Sequence, residues 1–548
     1  MNIMKKNFRF LRSLFLAITL VLLMATGAFA LNKEEAKQFN PDIKNIIVMI
    51  PDGMSVDGLA LARWYKAYDS EARTFDTSVS LALDELASGL IRNWWRSGDK
   101  IGGIIDSAPA GTAMASGIKT NDKFVGVTDQ SVPVATILEA ANLLGKSTGL
   151  VVTSNIQHAT PATFSSHYNS RSQYGIIGEQ QAHNNIDVVM GGGSQYLVYN
   201  NRDVIAAIKD MGYQYITTKG EMDAITSGKT WAMFAPDAMA YDIDRAENAP
   251  DEPSLAEMTA KAIALLSQNK DGFFLMVEGS KIDWTAHAND PIGLISDILA
   301  YDAAVAVALD YAKNRQDTLI LSMTDHGTGG FTIGNRDTQN AKAALPYDSS
   351  ALINYIAPLT LAKLTGEGIE AKFNEKRDNI TEVMAEWYGI DNLTAREIAM
   401  IKNTATGNMN YTVGLMLSER AYLGWTTHGH TGQDVNLFSY LPGDGHITGT
   451  IDNTDIALIC AGIWGVNLPG LSAQLFNEAE TAFIAKGATV KVNLEAGEMT
   501  VTKDGVVLVI PDYKNYVFLN GDKVMIDSVI VNQDGMFYVP ENVLSMVP

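Results

Sequence analysis

Residues 44–55 read KNIIVMIPDGMS: an unbroken apolar run that stops at Pro51, Asp52 and Gly53. A continuous apolar run bounded by turn residues is the pattern of a strand buried on both faces, as in a parallel sheet. Two more stretches repeat it. DGFFLMVEGSKID (271–283) carries its run into Glu278 and Asp283, and DTLILSMTDHGTGG (317–330) carries its run into Asp325 and His326. Between them lie helical patterns such as SLAEMTAKAIALLSQ and IGLISDILAYDAAVAVALDYAK. Strands alternating with helices predict an α/β fold whose central, mostly parallel sheet is flanked by helices. In such sheets ligands gather beyond the carboxyl ends of the strands, so three runs ending in carboxylates and a histidine predict one shared polar site.

Composition limits what that site can serve. The 548 residues are 47% hydrophobic, enough for a large core and more than one domain. The net charge of −21 argues against nucleic acid or an anionic membrane as partner. An anionic small ligand therefore needs a local cation. The single cysteine, Cys460, lies in the apolar run DIALICAGI, so any metal must be held by His, Asp and Glu.

Residues 1–30 carry the export pattern. Lys5, Lys6, Arg9 and Arg12 precede the apolar run SLFLAITLVLLM, and Ala28-Phe29-Ala30 offers a small-x-small cleavage site. The expectation is a signal peptide cleaved near Ala30, a periplasmic or extracellular mature chain, and no membrane-spanning segment within it. About a hundred residues of helical character, including LINYIAPLTLAKL and ITEVMAEWYG, lie between His326 and HGHTG; a helical insertion is placed over about residues 335–422. After Gly487 the pattern alternates as strands do (VKVNLEAGEMTVTKDGVVLVIP), with turn signals at AGE and KDG. A small β-rich domain is placed at 488–548, and its LNGDKV and QDGMFYVP segments resemble copper-amine-oxidase N-terminal-like modules.

The polar residues form a set. Asp283 and His287 are four apart, so one helical turn puts both on one face. Asp325 and His326 follow a strand, Asp52 ends another, and His430 sits in the glycine-bearing loop THGHTGQD. Each pair alone is a common coincidence, but their joint occurrence at strand ends points to cation binding. Asp and His ligands without thiolates suit zinc, and a harder Asp, Thr, Glu set suits magnesium.

With IIDSAPAGTA (104–113), HATPATFSSHYNSR (158–171), DVVMGGG, FFLMVEGSKIDWTAH, TDHGTGG and HGHTGQDV in one order, the chain resembles the alkaline phosphatase family over about residues 45–466, within a catalytic domain placed at 31–487. The resemblance implies a homodimeric phosphomonoesterase holding two zinc ions and one magnesium. It implies Ser107 as the nucleophile that becomes phosphorylated, Arg171 as the clamp on phosphate oxygens and Asp106 as the residue that steadies Arg171. It further implies Asp283, His287 and His430 as ligands of one zinc, and Asp52, Asp325 and His326 as ligands of the other. Magnesium then falls to Asp52, Thr160 and Glu278. His158 and Trp284 replace an aspartate and a lysine of the best-known bacterial branch; the exchange implies weaker product retention and a less selective third metal position. The other readings are a phosphodiesterase of the same superfamily and an exported phosphate- or metal-binding protein without catalysis.

Overall fold

The computed structural model describes residues 42–335, 349–443 and 446–548; the leader expected at 1–30 and the early part of the insertion lie outside the described residues. The three apolar runs become adjacent strands. Asn45–Ile50 (β1) and Ala87–Arg92 (β2) are followed along the chain by Ser147–Asn155 (β3), Val188–Gly192 (β4), Gln214–Ile216 (β5) and Thr230–Ala235 (β6). Phe273–Glu278 (β7), Thr318–Met323 (β8), Val435–Tyr440 (β9) and Gly449–Asp452 (β10) complete a ten-stranded sheet ordered β5-β6-β4-β3-β7-β1-β8-β9-β2-β10. β1 lies between β7 and β8 and is parallel to both, with Ile50 opposite Glu278 and Met49 opposite Ser322. β9 alone runs against its neighbours, β8 and β2.

Every residue of β1, β7 and β8 is buried. A sheet so covered needs helices on both faces, and two apolar cores flank it: one holds Ile47, Met49 and Tyr301, the other Ile46, Val48 and Ile50. The alternation along β1 sends successive side chains to opposite cores. The 23-residue helix Pro291–Lys313 is apolar enough to cross a membrane by composition, yet 67% of its most apolar window is buried inside the fold. Its apolarity serves the core.

Past the sheet, the described part of the region expected as an insertion is helical, with Ile380–Tyr388, Ala395–Asn403 and Met409–Arg420 its longest helices. The C-terminal unit is β-rich, with a five-stranded antiparallel meander from Thr489 to Met525 and a three-stranded sheet. Its core includes Ala479 and Phe483, which precede Gly487, and the strand Asn477–Glu478 pairs with Met536–Val539. The strand alternation that marks this unit in the sequence starts only at 489, so it does not reveal the helix Ala479–Ala485 that closes the core.

Candidate active site

The site sits where β1, β7 and β8 end. Asp52 follows β1 by two residues, Glu278 is the last residue of β7, and Asp325 and His326 follow β8. All four are buried. Helix Lys281–His287 then starts beyond β7 and brings Asp283 and His287 onto one face, 3.3 Å apart. His430 arrives from the far side of the insertion. Gly327–Thr328 pairs antiparallel with His430–Thr431, so a two-residue ladder clasps the His326 segment to the His430 segment.

Three nests of ligand atoms result: Asp283, His287 and His430; Asp52, Asp325 and His326; and Asp52, His158 and Glu278. Their chemistry fits metal ions. Neither carboxylate oxygen of Asp52 or of Glu278 receives a hydrogen bond, nor do Asp325 Oδ2 and the Thr160 hydroxyl, although all are buried. Burying a carboxylate with no donor costs several kcal/mol, so the donor set calls for a cation. Without one, burial and then the Asp325, Asp283 and Glu278 charges push Asp52 well above the carboxylate range. Burial, with Asp325 next, pushes Glu278 up to about 8. Burial works against charge on His287, but the hydrogen bond and charge of Asp283 outweigh it and raise the imidazole to about 9.

The outer contacts aim these ligands. His430 Nδ1 donates to the Ile105 carbonyl at 2.7 Å, and His287 Nδ1 to the carbonyl of His428. Each leaves Nε2 facing the nest, the two Nε2 atoms lying 3.2 Å apart. Thr328, which the sequence reading did not single out, does the same for His326. Its hydroxyl donates to Asp283 Oδ1 at 2.6 Å and so accepts from His326 Nδ1 at 3.1 Å. The tautomer assigned from this chain puts the His326 lone pair on Nε2, 3.1 Å from Ser107 Oγ. The signal was available: Thr328 belongs to the quoted TDHGTGG, two residues beyond His326.

Ser107 is the first residue of helix Ser107–Ser116, all of it buried, with Asp106 as its N-cap accepting from the Ala108 amide at 3.1 Å. Pro109 falls in the first turn, where no intrahelical donor is needed, and the helix runs on unbroken. The small residues of this helix have a packing reason. It lies against helix Ala159–Ser165, and a Cβ on Gly111 would come within 2.4 Å of Thr163 Oγ1. Gly111→Val should therefore destabilise the fold by about 1–3 kcal/mol through overpacking, seen as a lower thermal midpoint.

Asp106 pairs with Arg171 Nη1, and Arg171 Nη2 donates to His158 Nε2 at 2.8 Å. Burial opposes charge on Asp106, but Arg171 holds its carboxyl below the usual range. Burial, with the Arg171 charge next, presses His158 down to about 3, so it accepts from Arg171 as a neutral ring. Its Nδ1 is buried without a partner. Trp284 packs edge-on against His158 at 5.8 Å between centroids and meets Lys281 on its face. Thus Ser107, Asp106, Arg171, His158 and Trp284 form one connected flank beside the three nests. His167 and His183 are buried structural groups, bonded to Glu139 and Asn515 respectively.

The profile of the family described as alkaline phosphatase matches residues 43–465. Alkaline phosphatase 4 of Bacillus subtilis is 34% identical over 82% of this chain and 97% of its own. The solved cold-active alkaline phosphatase of a Shewanella species superposes with a TM-score of 0.66 at 28% identity, over 76% of this chain and 99% of that one. A variant of the alkaline phosphatase from the Antarctic bacterium TAB5, solved with magnesium bound, gives 0.57 at 25% identity over 78% and 99%.

Proposed function

The chain belongs to the alkaline phosphatase family and is a phosphatase, and on that premise we propose that it hydrolyses phosphate monoesters through a phosphoserine formed at Ser107. The observation that carries this reading is the buried Ser107 hydroxyl at a helix start, 3.1 Å from His326 Nε2, which itself lies 3.2 Å from Asp325 Oδ2 and 3.4 Å from Asp52 Oδ1, with Asp106 next in the chain holding Arg171. Asp283, His287 and His430 would hold one zinc, Asp52, Asp325 and His326 the other, and Asp52, Thr160 and Glu278 magnesium, with His158 beside the last. When bound, the cations supply Lewis-acid activation of the serine oxygen and neutralise charge on the leaving oxygen.

The rest is the work of this chain. Arg171 is always charged and presents a planar fork that suits two phosphate oxygens. Asp106 and His158 fix that fork by taking one contact each on Nη1 and Nη2, and a guanidinium's five N–H groups leave others free to donate to phosphate oxygens. Ser107 opens its helix with the positive end of the peptide dipoles behind it, which favours an anion there. Thr328 locks His326 so that Nε2, rather than an N–H, faces the serine. We also propose that the chain is exported and works as a homodimer, from its first thirty residues and its family resemblance.

Two measurements test the reading. Arg171→Ala should raise the inhibition constant of inorganic phosphate about tenfold or more, because a charge-assisted bidentate contact is lost. Initial rates on p-nitrophenyl phosphate should exceed those on bis-p-nitrophenyl phosphate; faster diester turnover would replace the proposal with a phosphodiesterase.

A further inference from the structure

The segment that ends in Arg171 does not stand alone. Its Tyr168 forms a β-bridge to Val125, and the Arg171 amide donates to the Lys123 carbonyl at 2.9 Å. That secures one edge of residues 167–171. The other edge is held by the C-terminal unit. Strands Val531–Gln533 and Met536–Val539 form a hairpin whose two loop residues, Asp534 and Gly535, both have positive φ (50° and 102°). Two such residues give the tight type I′ connection that an Asp-Gly pair favours. The turn projects Asp534 onto the arginine segment: Tyr168 Oη donates to Oδ1 at 3.1 Å and Asn169 Nδ2 to Oδ2 at 3.3 Å. Beside it, Gln533 Nε2 donates to the His167 carbonyl at 3.1 Å. Three consecutive residues are thus tied to one turn, two positions before the guanidinium.

We propose that Asp534 is a positioning residue for Arg171, so that the C-terminal β unit sets the strength with which the site grips phosphate. The proposal rests on the reading of Arg171 as the phosphate clamp. Asp534 lies 366 positions from Tyr168 in sequence and makes its contacts to Tyr168 and Asn169 rather than to a candidate ligand or reacting group; it acts through the backbone of residues 168–171. Further clamps between the two units lie elsewhere: Lys514 pairs with the buried Glu179, and Arg202 bridges Glu179 to Asp512 at 2.7 Å each. The unit therefore keeps its attachment when the turn contact is removed.

The test is steady-state kinetics and phosphate inhibition on the full, metal-replete chain. Asp534→Gly removes the carboxylate while suiting the positive φ. It should raise KM for p-nitrophenyl phosphate and the inhibition constant of inorganic phosphate about three- to tenfold, with kcat within about twofold and the thermal midpoint nearly unchanged. Asp534→Asn keeps an acceptor for the Tyr168 hydroxyl and tolerates the same φ, so it should recover most of the affinity. Tyr168→Phe should reproduce the loss, and the double variant Tyr168→Phe/Asp534→Gly should lose no more than either alone. Unchanged phosphate inhibition in Asp534→Gly, alongside a large change in Arg171→Ala, overturns the inference and leaves the clamp intact. No change in Arg171→Ala overturns the clamp itself.

Discussion

Ser107→Ala should all but abolish turnover. On the proposed mechanism the Ser107 hydroxyl attacks from the helix start, so the loss on p-nitrophenyl phosphate should be at least about a thousandfold, as when other nucleophiles are removed from sites whose binding groups remain. The three ligand nests do not depend on the serine side chain. Zinc and magnesium content, measured on the purified variant, should stay near that of the parent. The thermal midpoint should hardly move, since the change deletes one oxygen and leaves the helix and its Asp106 cap in place. A variant that retains full activity would show that phosphate is never transferred to Ser107, and the candidate mechanism would fall.

The second large effect is that of chelation, and it carries a pH signature. Stripping the cations should stop activity, with zinc plus magnesium restoring it. The stripped protein should also lose stability as pH rises from about 6.5 to 9. The sign follows from linkage. Glu278, ordinarily near 4.5 and raised to about 8, binds a proton in the folded chain over a range where the unfolded chain has released it. His287, ordinarily near 6.5 and raised to about 9, does the same. Where the native state binds more protons, stability falls with increasing pH. The buried His158, pushed down to about 3, contributes its change below 6.5 and so leaves this window clean. Thermal midpoints of stripped and reloaded protein at pH 7 and 9 should therefore diverge with pH. Parallel behaviour of the two would mean that the buried carboxylates are satisfied by something other than cations.

The sheet and the ligands were legible in the sequence for one physical reason. β1, β7 and β8 are buried on both faces, so their letters are almost all apolar, and Asp52, Glu278 and Asp325 stand out as the first charges at their carboxyl ends. Helix periodicity placed Asp283 and His287 together in the same way. Most of the outer contacts were not legible, because they join groups far apart in sequence. Nothing about Ile105 announces that its carbonyl will orient His430, 325 positions on. Thr328 was hidden by its ordinariness, since a threonine beside glycine reads as turn. The grip of Asp534 on Tyr168, across 366 positions, belongs to the same class. Asp534 and Gly535 lie in the quoted QDGMFYVP, but only the packed chain shows the turn they make and what it holds.

The antiparallel strand β9 has a consequence for how the protein is made. It slots between β8 and β2 and directly follows the loop that delivers His430. A chain emerging from the ribosome has Asp283 and His287 in hand long before the residue that completes their nest. Until residues 430–440 arrive, β8 has an open edge and the nest has two of its three candidate ligands. Non-local pairings of this kind form late, after the loop entropy of more than a hundred residues has been overcome. Completion of that candidate nest therefore comes late in synthesis, once the chain has passed residue 440.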